Sequence, residues 1–153
     1  MDILFINPGS SEEVYQGLST DYAGIGTPYW ALLLSQSCRS QGYKVGILDI
    51  LAEGISRKDA VERIKTLNPR LISVCVYGEN VNSGTTQMSG AVKLANLIKE
   101  SGVDIPVSFV GSHVQALPYK VLSEEPNIDI IFTNEGVYSL WNILKLKDLT
   151  DKK

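Results

Sequence analysis

Short, continuous apolar runs alternate along this chain with longer stretches in which apolar residues recur every three or four positions. The first run, residues 3–6, is closed by Asn7-Pro8-Gly9 and reads as a strand buried on both faces that ends in a loop. Comparable runs at 45–50, 71–76, 107–110 and 128–132 predict four more strands. Between them the period lengthens. Residues 28–40 read as a helix with Pro28 near its first turn and Gly42 past its end. Ser56 is placed to cap a second helix whose Ala60, Val61, Ile64 and Leu67 share one face, and Asn68-Pro69 stops it. A third helix is expected from about Thr86 to Ser101, with Met88, Ala91, Val92, Ala95 and Ile98 at core spacing and Gly102 at its end. A short helix over 118–124 and a last one over 137–146, turning Leu140, Trp141 and Leu144 inward, complete the pattern.

Strands that are apolar on both sides and separated by helices imply parallel βαβ units with right-handed crossovers. The expected fold is an α/β, doubly wound, five-stranded parallel sheet of Rossmann-like, flavodoxin-like type, in strand order 2-1-3-4-5, with helices on both faces. Residues 1–146 form the expected domain, and 147–153 read as a solvated tail or the start of a linker. At 153 residues the chain is long enough for one domain with a sizeable core and no need of disulfides. Its 14 basic and 17 acidic side chains give a net charge of −3, without charge runs, which argues against a nucleic-acid partner. The two cysteines, Cys38 and Cys75, are far apart, and there is one histidine, so no zinc or iron–sulfur site is expected from this chain alone. No stretch approaches the about 20 apolar residues of a membrane span, and the start lacks a signal-peptide pattern. These features predict a soluble, cytoplasmic domain with no membrane partner.

In such sheets ligands bind beyond the carboxyl ends of the strands, where strand order reverses. Four segments fall there. The first starts at Asn7 and Pro8 and runs to Thr27 with weak periodicity, long enough to be either a functional loop or a surface excursion. The second, from Tyr77 and Gly78 to Ser83 and Gly84, leads into a helix N-terminus, where backbone N–H groups can meet a ligand acceptor; alone it reads as an ordinary strand-to-helix loop. The third, Gly111-Ser112-His113, holds the sole histidine, more often a structural residue than a base or ligand at such a place. Gly111, without a Cβ, would let a ligand come close to the strand end. The fourth leaves the Glu135 carboxylate at the same rim, to bond a ligand or cap the last helix. Gly24-Ile25-Gly26 fails as a dinucleotide fingerprint because it lies far from the first strand, and no Walker-type phosphate loop is present.

Taken together, these segments resemble the cobalamin-binding domain that precedes the catalytic domain in B12-dependent radical SAM enzymes. The resemblance covers nearly the whole chain: Ile6-Asn7-Pro8, then Pro28-Tyr29-Trp30-Ala31-Leu32-Leu33, Gly42-Tyr43-Lys44-Val45 and Asp49, and most specifically Gly111-Ser112-His113-Val114-Gln115-Ala116-Leu117-Pro118, followed by Asp129 and Asn134-Glu135-Gly136. The family usually carries two glycines where Gly111-Ser112 stands, and Gly-Glu-Gly-Glu where Asn134-Glu135-Gly136-Val137 stands. The resemblance implies cobalamin lying over the strand ends, its nucleotide tail entering beside Ser83 and Gly111, with Asn7, Pro8, Tyr77, Gly78, Ser112, His113 and Glu135 along the rim. The Asp-x-His-x-x-Gly motif of B12 mutases is absent, so cobalt would lack that lower ligand. The cysteine trio of the radical SAM cluster is absent too, so S-adenosylmethionine and a 4Fe-4S cluster would belong to a downstream catalytic domain, in cis or in trans, and no catalysis is expected from this chain alone. Two other readings stand beside it: a cofactor-free interaction module of the same fold, and a small enzyme using His113 as base with Glu135 as its partner.

Overall fold

The structure is a computed structural model that describes residues 1–10, 18, 24–77 and 83–149, with Ser83 described by its backbone alone. Strands β1 (Ile3–Asn7), β2 (Val45–Asp49), β3 (Leu71–Cys75), β4 (Val107–Val110) and β5 (Ile130–Phe132) form one parallel sheet in the order β2-β1-β3-β4-β5. Helices α1 (Tyr29–Ser40), α2 (Arg57–Leu67), α3 (Ser83–Glu100), α4 (Ser112–Ala116), α5 (Pro118–Glu124) and α6 (Val137–Leu144) cover it. The strand order and the flanking helices are those the apolar pattern predicts.

The alternation along each buried strand divides the core into two layers. Leu4 and Ile6 of β1, Ile72 and Val74 of β3, and Val107 and Phe109 of β4 point to one side, where they meet Val61 and Ile64 of α2 and Leu94 and Ile98 of α3. Ile3, Phe5, Leu71, Cys75 and Val110 point to the other, against Leu34 and Cys38 of α1 and Leu140 and Leu144 of α6. Leu149 also packs against this second layer. Each large side chain that is wholly buried, Phe5 and Phe109 among them, contributes about 1.5–3 kcal/mol of transfer free energy, so both layers are needed to hold the sheet.

Local signals set the helix ends. Ser56 and Asp59 make the reciprocal capping box that opens α2, and Asn68, in the left-handed region at φ 42°, closes it. Two differences from expectation bear on the site. Helix α3 starts at Ser83 rather than near Thr86. The segment after β4, expected as a loop, is the short helix α4, closed by Gln115 N–H donating to the Gly111 carbonyl at 3.0 Å; Pro118 then opens α5.

At the edge where the strands begin, Arg70 gathers both ends of the chain. Its backbone N–H donates to the Met1 carbonyl at 3.0 Å, and its guanidinium reaches the carbonyls of Leu144 at 3.4 Å and Leu146 at 2.5 Å and the Asp2 carboxylate at 3.7 Å.

Candidate functional site

The opposite edge, where the parallel strands end, collects the residues singled out from the sequence. Asn7, the last residue of β1, donates from Nδ2 to Asp49 Oδ1 at 3.1 Å across to the end of β2. The same Oδ1 accepts from Ala52 N at 3.1 Å, while Oδ2 of this buried carboxylate has no partner among the described residues. Pro8 is buried, so it shapes the start of the loop rather than offering an open surface. Ser10 was missed by the sequence reading: it is buried, donates to the Gln87 carbonyl at 3.0 Å, and pins the chain after β1 onto α3. That contact needs Gly90, because a Cβ there would lie 2.3 Å from Ser10 Oγ and 3.0 Å from the Gly9 carbonyl. Most of the long connection towards Thr27, and Gly78 with it, lies outside the described residues; Ser83 is the first residue of α3.

Tyr77 follows β3. Its ring stacks on Trp30 of α1 with centroids 4.1 Å apart and planes 17° from parallel, and its hydroxyl is buried without a partner among the described residues. Burial, with the charge of Glu135 and the nearby Cys75 thiol adding to it, pushes the phenol up to about 12. Glu135 itself is exposed in the turn before α6, where Asn134 Oδ1 accepts the Gly136 N–H at 2.8 Å and Gly136 adopts φ 85°. Tyr77 and Glu135 thus share one side of the rim.

Gly111, Ser112 and His113 face a different side. A Cβ on Gly111 would sit 2.2 Å from the Val76 carbonyl oxygen and 2.6 Å from its carbon, so the close approach that demands glycine is made by the chain's own β3 end, not by an open space beside the strand. Ser112 fills a notch left by Gly84: a Cβ on Gly84 would lie 2.1 Å from Ser112 Oγ. His113 turns towards α3, its Nδ1 3.1 Å from Thr85 Oγ1, and lines an open cavity of about 360 Å³ with Met88, Val92, Val121, Lys93 and Glu124. Among the described residues the hydrogen bond of His113 is thus made to Thr85, not to the Glu135 that a small-enzyme reading pairs with it.

Both cysteines are buried thiols. Desolvation raises Cys38 to about 11 and Cys75 to about 12. The reactive thiolate is scarce at such values, so both should resist Ellman's reagent at pH 8 in the folded chain and react at once on unfolding; rapid labelling of the native protein would contradict this burial. Among the described residues there is no group of three or more His, Cys, Asp or Glu side chains that can hold a metal ion, and no helix is long and apolar enough to cross a membrane.

The fold and rim define a ligand-binding domain of the doubly wound class, with its polar groups at the reversal of strand order. A family model described as the B12 binding domain matches residues 15–143, and the chain belongs to that family. The anaerobic magnesium-protoporphyrin IX monomethyl ester cyclase of Rubrivivax gelatinosus is 27% identical over 149 residues, which are 97% of this chain and 25% of that protein. An uncharacterized methyltransferase of Pyrococcus horikoshii is 25% identical over 99% of this chain and 29% of its own length. The radical S-adenosylmethionine methyltransferase TsrM from Kitasatospora setae, solved with cobalamin and a 4Fe-4S cluster bound, has the same fold, with a TM-score of 0.69 and 17% identity over 94% of this chain and 24% of that one. The chain therefore spans about a quarter of the length of these relatives.

The residues present suit the ligand of this family. Cobalamin carries a ring of amide side chains, and the rim holds Asn7, the exposed Glu135 carboxylate and a buried Tyr77 O–H without a partner among the described residues.

Proposed function

We propose that this chain is the cobalamin-holding part of a larger enzyme in which a radical SAM catalytic domain, in cis or in trans, faces the rim. The observation that carries this reading is the convergence of Asn7, Tyr77 and Glu135 from three strand ends onto one edge of a B12 binding domain. The names of its relatives, a cyclase and methyltransferases, support membership in a B12-dependent enzyme. In this reading Asn7 and Tyr77 bond the amides of the corrin, Glu135 accepts from another, and Pro8 fixes the start of the connection that follows Asn7. Gly78, Ser83, Gly111 and Ser112 border the path of the nucleotide tail. Bound cobalamin supplies a cobalt able to carry a methyl group. Thr85 Oγ1 holds His113 by Nδ1, and in this reading the cobalt takes no protein imidazole. Two scattered buried thiols fit a cytoplasmic setting.

The test is an ultraviolet–visible titration of the chain with hydroxocobalamin. Saturable binding with a shifted corrin spectrum is expected. His113→Ala should weaken it no more than about tenfold, the scale of one hydrogen bond, and leave the bound spectrum unchanged. Loss of binding together with a spectral change in that variant would make His113 a cobalt ligand. No binding by the unaltered chain would favour a cofactor-free interaction module.

A further inference from the structure

The chain has two tryptophans, and they are used differently. Trp141 packs against the α1–α6 layer, and its Nε1–H donates to Ser37 Oγ at 3.0 Å. Trp30 is half-buried at the start of α1, and its ring contact is Tyr77. It enters the fold as a flat wall against one tyrosine rather than as filling for the core.

That pairing joins the two connections that matter most for a ligand. Trp30 stands at the end of the connection from β1, and Tyr77 at the start of the connection from β3, so the stack ties together the chain segments that leave the sheet where strand order reverses. An offset aromatic stack restrains the angle of each ring as well as its position. The restrained atom of interest is the Tyr77 hydroxyl, which is buried and unpaired among the described residues. A buried hydroxyl with no acceptor is unfavourable by itself, and an acceptor brought by a ligand would relieve that cost.

We infer that Trp30 is a positioning residue of the cobalamin site: by stacking on Tyr77 it fixes the ring whose buried hydroxyl donates to an amide carbonyl of the corrin once binding uncovers it. The inference rests on the cobalamin reading above. Tyr77 makes the contact; Trp30 acts only through it. Its indole N–H is not needed, and any flat ring of similar size serves.

The experiment is a double-mutant cycle on the full chain, read by hydroxocobalamin titration, with the thermal midpoint of each ligand-free variant measured alongside. Tyr77→Phe keeps the stack and removes the hydroxyl, and should raise Kd about two- to tenfold with the midpoint little changed. Trp30→Leu should raise Kd over the same range, Trp30→Tyr should restore near-normal binding, and the double variant Trp30→Leu/Tyr77→Phe should bind no worse than the weaker single variant. Full binding by Tyr77→Phe overturns the inference, as does multiplication of the two single effects in the double variant. If Trp30→Leu does not fold, Tyr77→Phe and Trp30→Tyr still decide between these outcomes. Failure of the unaltered chain to bind hydroxocobalamin refutes the cobalamin reading itself, and this inference with it.

Discussion

Gly111→Val should unfold or severely destabilise the domain, with a loss of at least about 3 kcal/mol and a fall in thermal midpoint of roughly 6–12 °C or more. The backbone of Gly111 is not the obstacle, since its φ of 160° is extended and open to any residue. Space is. The new Cβ would stand 2.2 Å from the Val76 carbonyl oxygen, and Val76 is tied at that level by its N–H donating to the Val110 carbonyl at 2.8 Å. Relief requires the ends of β3 and β4 to part, which disturbs both core layers. Even alanine meets the same clash. Circular dichroism melting of the ligand-free chain is the measurement, because a residue that only admits a ligand would leave the midpoint unchanged and alter titration alone. An unchanged midpoint for Gly111→Val would return this glycine to the role of making room for cobalamin.

Gly84→Ala is the second large effect, and its size should depend on residue 112. Alone, the added methyl meets Ser112 Oγ at 2.1 Å and should cost about 1–3 kcal/mol. Combined with Ser112→Gly, both the hydroxyl and the Ser112 Cβ, 3.5 Å from the new carbon, are gone, and the remaining neighbour is the Val76 carbonyl oxygen at 3.1 Å, a shortfall of a few tenths of an ångström. The double variant should therefore recover most of the stability lost by Gly84→Ala. Urea denaturation of the four proteins gives the coupling, and strict additivity would show that the two residues do not share this space.

The fold was legible because its signals are local and redundant. Apolar-rich runs such as residues 3–6 and 71–75 belong to strands that need cover on both faces, and once they are parallel the strand order has few alternatives. Ser56 announced α2 through its own capping chemistry. The start of α3 was not legible, because Ser83-Gly84-Thr85 carries no strong helix preference and owes its conformation to packing: Gly84 lies against Ser112 and the Val76 carbonyl. Helix α4 is five residues long, too short for periodicity to register.

The site was legible as a location and less so in its contacts. Topology alone put Asn7, Tyr77, Gly111 and Glu135 at one edge. Which side each faces depends on contacts between residues far apart in sequence. His113 meeting Thr85, Ser10 meeting Gln87 and Trp30 meeting Tyr77 leave no trace in spacing or composition. Gly111 shows the limit most plainly. A glycine at a strand end signals close approach but not by whom, and here the approaching group is the preceding strand.

The Arg70 clasp has a consequence for reach. It keeps Met1 and Leu146 together at the edge where the strands begin, while the rim lies at the far edge, about 17 Å away along a strand of five residues. In a longer protein, a chain that continues past the clasp sets out from Leu146, at the wrong pole of the domain. To bring a second domain over the rim in the same chain, the tether must first run back the depth of the sheet, about five or six residues even when fully stretched. Below that span the two halves cannot engage within one chain, however well their surfaces match. Above it, their effective concentration falls off only gradually with tether length.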